Sequence, residues 1–498
     1  MRIRSPRHVL RRLSAAILLA AAGTACAAGP IVAPLRYEPI VLAPDQPFRA
    51  SAPDASPVTP TVSLPWRETT LPNGLRVVHL ERHGLPIVSV RLVVARGAAD
   101  VGAPDDTYAL LGKLMHAGTQ DRTADQLAAA YARLGAVRNV ILGPDGCSVS
   151  AKVGAEDMDA AIELVAEAAT RPRLTLPELR NARAQWLADF ENTKHAPRPA
   201  LQRNASALLF GRAHAYGFAR PTTSHTHGLR VEDITALHVR LFHPAQAALI
   251  VVGDATAEVV DRSAARWFGA WDAGAPLLPR ASEPVPPVAG ARVVFVERNN
   301  LTQVHAMVLV RGVAPEEDLF AVEVFARMLG GLSSPLREEI RDEGGAAYSF
   351  GAGVARMRAA FSVGVGGVFD AGKAIPALRA ILAAIRGARA SGFGQNSVER
   401  ARTNLLADWR THASTNDGLA AMAAAAMAIG QPLDAVAAFP ARLQAVTAAD
   451  VKRVAERYFG EDALRLVVLA DGDFQSELTQ LGLGAAERRD GYAEVVPP

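Results

Sequence analysis

Apolar and polar positions along this chain follow two different periods. Residues 76–81 and 88–95 alternate or run apolar over six to eight positions, which predicts strands. Residues 127–134, 158–168 and 375–385 instead place apolar side chains at helical spacing among alanines, which predicts amphipathic helices. The two kinds of segment alternate irregularly, with short hairpin-like spacings between strands. The pattern therefore predicts an α+β fold in which each sheet is covered by helices on one face.

The pattern also repeats. Residues 231–254 match a segment just after Val446, with Asp233 on Asp450, Phe242 on Phe459 and Asp254 on Asp471, a constant offset of 217. V-V-H-L-E-R at Val77 matches V-V-F-V-E-R at Val293, an offset of 216, and N-A-R-A-Q-W-L-A-D-F at Asn181 matches R-A-R-T-N-L-L-A-D-W at Arg400, an offset of 219. Three collinear matches at nearly one spacing indicate a duplicated domain. Five prolines in 276–287 mark the connector. The expected organisation is an N-terminal domain at 66–275, a linker at 276–288, a C-terminal domain at 289–482 and a tail at 483–498.

The N-terminal end changes the reading of charge. Residues 1–28 carry Arg2, Arg4, Arg7, Arg11 and Arg12 without an acidic residue, then an apolar run and small residues, the three parts of a secretory signal peptide. Its removal takes five charges from a formal +3, leaving about −2, so a nucleic-acid role loses its electrostatic support. The expected location is the periplasm. Cys26 offers an outer-membrane lipoprotein alternative, and with it the sole reason to expect membrane contact, but Gly23 stands where such signals carry Leu, so cleavage is expected after Ala27 or Ala28. One thiol, Cys147, then remains, too few for a disulfide framework. Residues 29–65 hold nine prolines and predict an extended arm.

The most informative stretch is M-L-G-G-L-S-S-P-L-R-E-E-I-R-D-E-G-G-A-A-Y-S-F, residues 328–350. Gly330-Gly331 ends an apolar helix, Ser333-Ser334-Pro335 reads as an N-cap with proline at the first helical position, and 336–343 as a short charged helix. Gly344-Gly345 stops it, and 346–354 reads as a strand. Arg341 thus lies at a helix end and Tyr348 at a strand start. On these residues alone, an Arg paired with a neighbouring carboxylate and a Tyr packed on a sheet would suffice.

With the duplication, the segment resembles one in the insulinase/pitrilysin family of zinc peptidases, which includes mitochondrial processing peptidase. The resemblance covers about 71–481. It implies two homologous domains closing like a clam around a peptide. It assigns substrate binding to Gly330 and Gly331, and substrate binding with transition-state stabilisation to Arg341 and Tyr348, in the domain opposite the metal. In active members a helix of the first domain carries H-x-x-E-H, two imidazoles for zinc and a Glu to take a proton from bound water. Counting back from Gly118-Thr119, this chain reads T-Y-A-L-L-G-K-L-M-H-A-G-T, so those positions fall on Ala109, Gly112 and Lys113. None can serve, and Lys113 adds a positive charge where a dication would sit. The third ligand position falls on Asp189 and the assisting Glu on Ala182. Asp408, the repeat partner of Asp189, has the same L-A-D-aromatic context, so a structural role explains Asp189 equally well.

Other features add little. His79-Leu80-Glu81-Arg82-His83 has its Glu in the wrong place for a zinc motif, and its copy, 295–299, has no His. His225 and His227 read as residues of a polar loop after His214-Ala215-Tyr216-Gly217. No phosphate loop, nucleophile elbow or Cys cluster is present in the sequence. The resemblance therefore implies a non-catalytic periplasmic subunit of a heteromeric zinc peptidase, inactive alone and without a cofactor of its own. Zinc would be held by a homologous partner with an intact H-x-x-E-H. That partner would cut peptides held as an added strand along a sheet edge. The alternatives are a stand-alone peptide-binding or chaperone-like protein and a structural assembly subunit without catalysis.

Overall fold

The computed structural model describes residues 63–496 apart from 103–104, 219–222, 273, 281–283 and 333. The expected signal peptide with Cys26, nearly all of the proline-rich arm, part of the linker and Ser333 lie outside the described residues.

The first half runs β1 (Arg67–Thr70), β2 (Arg76–Glu81), β3 (Ile87–Val94), α1 (Asp105–Leu114), α2 (Ala124–Arg133), β4 (Asn139–Leu142), β5 (Cys147–Gly154), α3 (Met158–Thr170), α4 (Leu176–Lys194), α5 (Pro197–Phe210), α6 (Val231–Leu241), β6 (Ala247–Gly253) and α7 (Ala257–Phe268). The second runs β7 (Val293–Glu297), β8 (Gln303–Gly312), α8 (Glu316–Gly330), β9 (Ala347–Arg356), β10 (Phe361–Asp370), α9 (Ala374–Ser391), α10 (Gln395–Ala413), α11 (Asn416–Ile429), α12 (Asp434–Ala445), α13 (Ala448–Tyr458), β11 (Arg465–Ala470) and β12 (Ala486–Arg489). Each half forms one mixed six-stranded sheet, ordered β1-β2-β6-β3-β5-β4 and β12-β7-β11-β8-β10-β9. This is the α+β fold of two like halves that the pattern predicts. In each sheet the strand at one edge, β4 or β9, belongs to a hairpin, β4-β5 or β9-β10.

The helices do more than cover one face. In the first sheet Val77, Val90, Leu92 and Val251 face a core shared with α1, α3 and α7 of the same half. Their alternates Val78, Leu80, Val93, Ile250 and Val252 face Leu419, Ala420, Ala423 and Met427 of α11, which belongs to the second half. The second sheet repeats the arrangement: Val294, Val296, Leu309, Val467 and Leu469 pack against Leu201, Ala205, Leu208 and Leu209 of α5. The strands are apolar on both faces because both faces are covered, one of them by the other half. Each buried Val or Leu side chain contributes roughly 1.5–3 kcal/mol, so this exchange of helices is the main bond between the halves.

The hairpin tips add a polar bond. Arg358, in the β9-β10 turn, donates to both oxygens of Asp100 at 3.1 and 2.8 Å, and its backbone N–H donates to Asp145 at 3.0 Å. Asp145 lies in the equivalent β4-β5 turn and also accepts from the Tyr216 hydroxyl at 2.6 Å. The Asp100 side chain is wholly buried and Asp145 nearly so. The two hairpins carrying the edge strands are thus joined near their tips.

Candidate functional site

The site is built from α1 and α4 in the first half and from the α8-β9 connection in the second. On α1, Leu110, Leu111 and Leu114 are buried in the core, which turns Ala109, Gly112 and Lys113, spaced i, i+3 and i+4, toward the partly exposed side. The Lys113 ammonium donates to Asp189 of α4 at 2.7 Å. An ion pair therefore joins the two positions that the family resemblance assigns to the second histidine and the third ligand. Ala182, at the assisting position, is buried. A Cβ on Gly112 would stand 3.6 Å from Leu142 Cδ1, an ordinary contact, so packing does not demand glycine there.

The second half explains Asp189 further. Arg327 on α8 pairs with Asp408 on α10, and these helices are the counterparts of α1 and α4. A cation on the first helix and an aspartate on the long helix thus recur in both halves. The residues present do not fit zinc: a lysine lies at one ligand position, an alanine at another, and the aspartate is engaged by the lysine. Among the described residues no group of three His, Cys, Asp or Glu side chains could hold a metal ion.

Beyond α8 the chain departs from the expected single helix. Pro335–Arg337 forms one α-helical turn, and Glu338–Glu343 continues as a π turn, closed by Gly344 N–H donating to the Glu339 carbonyl at 3.0 Å. The wider turn leaves Leu336 and Ile340 buried, while Gly345, at φ +53°, redirects the chain into β9. Single π turns recur at functional sites. Pro335 stands at the first helical position as expected, yet the Ser334 hydroxyl does not cap that turn. It donates to the carbonyls of Met328 and Leu329, at 2.7 and 3.0 Å, at the end of α8.

Arg341 lies in the last part of the π turn, 41% exposed, with Asp342 at 3.9 Å as its ion-pair partner. Tyr348, near the start of β9, is 85% exposed. Gly330 and Gly331 are both buried. A Cβ on Gly330 would collide with the backbone of Gly351 and Ala352, so glycine there lets α8 lie directly on β9. Two residues that sequence reasoning missed fix this segment: Arg337 donates to the Phe350 carbonyl at 2.6 Å and Lys373 to the Gly344 carbonyl at 3.0 Å. A side chain aimed at a backbone carbonyl leaves no sequence signature.

The remaining candidates fall into structural roles. Cys147 is fully buried beside the Tyr108 hydroxyl at 3.0 Å, and burial pushes its thiol up to about 12, so it is no nucleophile. His225 lies in a short helix, Thr223–Gly228, rather than a loop, and its Nδ1 meets the buried Asp106 carboxylate at 2.7 Å. His83 is held between Asp254 and Glu81, which raises its pKa, while His79 is buried and lowered by desolvation.

Comparison with known proteins agrees with this geometry. The profile described as Insulinase (Peptidase family M16) matches residues 76–218, and that described as Peptidase M16 inactive domain matches residues 228–405. An uncharacterized zinc protease of Mycobacterium tuberculosis is 28% identical over 310 residues, 60% of this chain and 68% of the relative. Cytochrome b-c1 complex subunit 1 of Caenorhabditis elegans mitochondria is 24% identical over 283 residues, 54% of this chain and 57% of that protein. The solved structure of a protease from Helicobacter pylori superposes with a TM-score of 0.73 at 20% identity, covering 82% of this chain and 99% of that one. The peptidase M16 inactive domain from Pseudomonas fluorescens superposes equally well, at 20% identity over 82% of this chain and 98% of its own. By sequence and by fold, the chain belongs to the insulinase family, peptidase family M16, as a member without zinc-binding side chains at Ala109, Gly112 and Lys113.

Proposed function

We propose that this chain is the non-catalytic subunit of an exported, heteromeric M16 peptidase, to which it contributes Arg341 and Tyr348. The observation that carries this reading is an asymmetry. The first half has an ion pair, Lys113 with Asp189, in place of a metal site. The second half holds a guanidinium and a phenol out on the surface, on a segment tied down by Arg337 and Lys373.

In the mixed complex a homologous partner supplies the zinc-bound water. This chain's own groups act on the substrate: the Arg341 guanidinium and the Tyr348 hydroxyl donate hydrogen bonds to the carbonyl oxygen as it gains negative charge. Removing one such donor typically costs about 100- to 1,000-fold in turnover. The test mixes Tyr348→Phe or Arg341→Ala chain with wild-type partner and reads kcat at saturating peptide. A loss on that order with unchanged partner affinity supports the reading, and Arg341→Lys should rescue it only in part, since a point charge does not reproduce a planar fork. Unchanged kcat in both variants would refute it. The likeness to a cytochrome b-c1 subunit favours a scaffold role as the second reading, for which the same variants would leave the complex's activity untouched.

A further inference from the structure

The two halves present equivalent faces to each other's helices, and these faces differ in one respect that points to a ligand. In the first sheet, Ser89 pairs with Lys152 and Arg91 with Ser150 across β3 and β5, and Ser150 with Asn139 across β5 and β4. In the second sheet the equivalent register, 216 residues on, holds His305 with Val368, Met307 with Gly366 and Gly366 with Gly351, and beside it Leu309 with Gly364 and Gly364 with Gly353. The first face carries a charge at Arg91; the second has Met307 there, with His305 in place of Ser89, and over β9 and β10 it presents four glycines. α5 covers the inner strands of this second sheet and leaves a groove of about 830 Å3 above the four glycines.

The helix over each face carries the complementary clue. Asp417, near the start of α11, accepts from Ser89 and Arg91 at 3.1 Å each. The repeat offset of 219 that relates α4 to α10 puts Arg198 of α5 at the equivalent place. There the sheet offers His305 and Met307 instead of an opposite charge, and Arg198 is the one charged side chain among the described residues that line the groove. Where the first half closes an ion pair between helix and sheet, the second half has the cation and lacks the anion.

The rest of the wall favours a peptide as what brings that anion. Arg198, Gln202 and Ser206 line the groove at i, i+4 and i+8, so hydrogen-bonding groups recur about every 6 Å along α5. An extended peptide repeats its outward N–H and C=O at about 6.6 Å, every second residue. Leu201, Ala205 and Leu209 form a parallel apolar stripe beside them. From Arg198 to Ser206 the helix rises about 12 Å, the length of about four extended residues. A fatty acid would use the apolar stripe and Arg198 but not the spaced polar groups.

We propose that this groove is a binding site for a short extended apolar peptide whose carboxylate, C-terminal or acidic, pairs with Arg198. It is separate from Arg341 and Tyr348 and requires neither them nor a partner subunit.

The glycines make the test clean. A Cβ on Gly353 would meet nothing within 4 Å, so the backbone accepts Gly353→Phe, whose ring would occupy the groove, and an aromatic suits an edge strand. The purified mature chain is titrated with a dansylated hexapeptide of alternating serine and leucine bearing a free C-terminal carboxylate, with its C-terminal amide, and with lauric acid. Thermal melts check that both variants fold. The expected result is saturable binding of one carboxylate peptide per chain. It should weaken at least tenfold in Gly353→Phe. In Arg198→Gln it should weaken at least tenfold for the carboxylate form, with the amide unchanged. Equal binding by Gly353→Phe, equal affinity for carboxylate and amide in the wild type, or binding of lauric acid that peptide does not displace would each overturn the proposal.

Discussion

Arg358→Met tests the bond at the hairpin tips. The Arg358 side chain is 13% exposed, and it faces Asp100, with no exposed side-chain surface, and Asp145, with 8%. In the wild type Asp100 accepts two hydrogen bonds from the guanidinium and one from the Gly97 N–H at 2.9 Å. Methionine fills most of the volume but removes the Arg358 guanidinium from a wholly buried carboxylate. Breaking a buried pair in this way costs about 3–5 kcal/mol, because the remaining charge stays desolvated. At about 1.4 kcal/mol per tenfold, that lowers the folding constant by about two to four powers of ten. Urea denaturation followed by tryptophan fluorescence should show a lower midpoint with little change in slope. Arg358→Met with Asp100→Leu should recover part of the loss, since an apolar pair can replace a buried ion pair at little cost. A single variant within about 1 kcal/mol of wild type would refute the argument, and would mean that water or rearrangement compensates Asp100.

Asp189→Asn should cost under about 1 kcal/mol, since Lys113 and Asp189 are 25% and 61% exposed, and chemical denaturation measures it. The purified chain washed with a mild chelator should hold no stoichiometric zinc and cleave no peptide alone; elemental analysis finding one zinc per chain, lost on Asp189→Ala, would contradict the reading of the site. His238, buried against Phe242 with its Nε2 donating to the Ala169 carbonyl at 2.8 Å, has its pKa pushed down to about 4 by burial. The unfolded chain binds that proton from about pH 6.5 downward while the folded chain does not, so stability falls as pH drops from about 6.5 toward 4. At pH 4.5 this single group accounts for about 2 kcal/mol, and His238→Gln should flatten that part of the profile in denaturation curves taken at pH 7 and 4.5.

Much of this fold was legible because the chain states it twice. The strand 76–81 matches β2 residue for residue, and the helix read at 158–168 is α3 with two more residues at its end. The repeated L-A-D-aromatic signal likewise fell on two long helices, α4 and α10. What sequence could not supply was who covers the second face of each sheet. The alanines of α11 read only as a good helix, and nothing in them says that Leu419 and Ala423 face the other half's sheet rather than their own. Strands apolar on both faces were the available hint, since a sheet covered on one side alternates more strictly.

The site divides along the same line. That Lys113 blocks a metal position follows from its charge and its place in the motif, but that it reaches Asp189 depends on two helices 76 residues apart in sequence. The π turn at 338–343 was invisible because its composition is that of an α-helix; the difference lies in hydrogen bonds that reach back five residues, as from Gly344 to Glu339. The duplication itself then separates shared from acquired features. Where both halves keep a feature, as with Lys113 and Asp189 beside Arg327 and Asp408, the common cause is packing of the first helix on the long one. Where the halves differ, as with an ion-paired Asp417 against Arg198 over bare glycine, packing alone does not explain the difference. Those departures from internal symmetry, together with the exposed Arg341 and Tyr348, are therefore where function in this chain is to be sought.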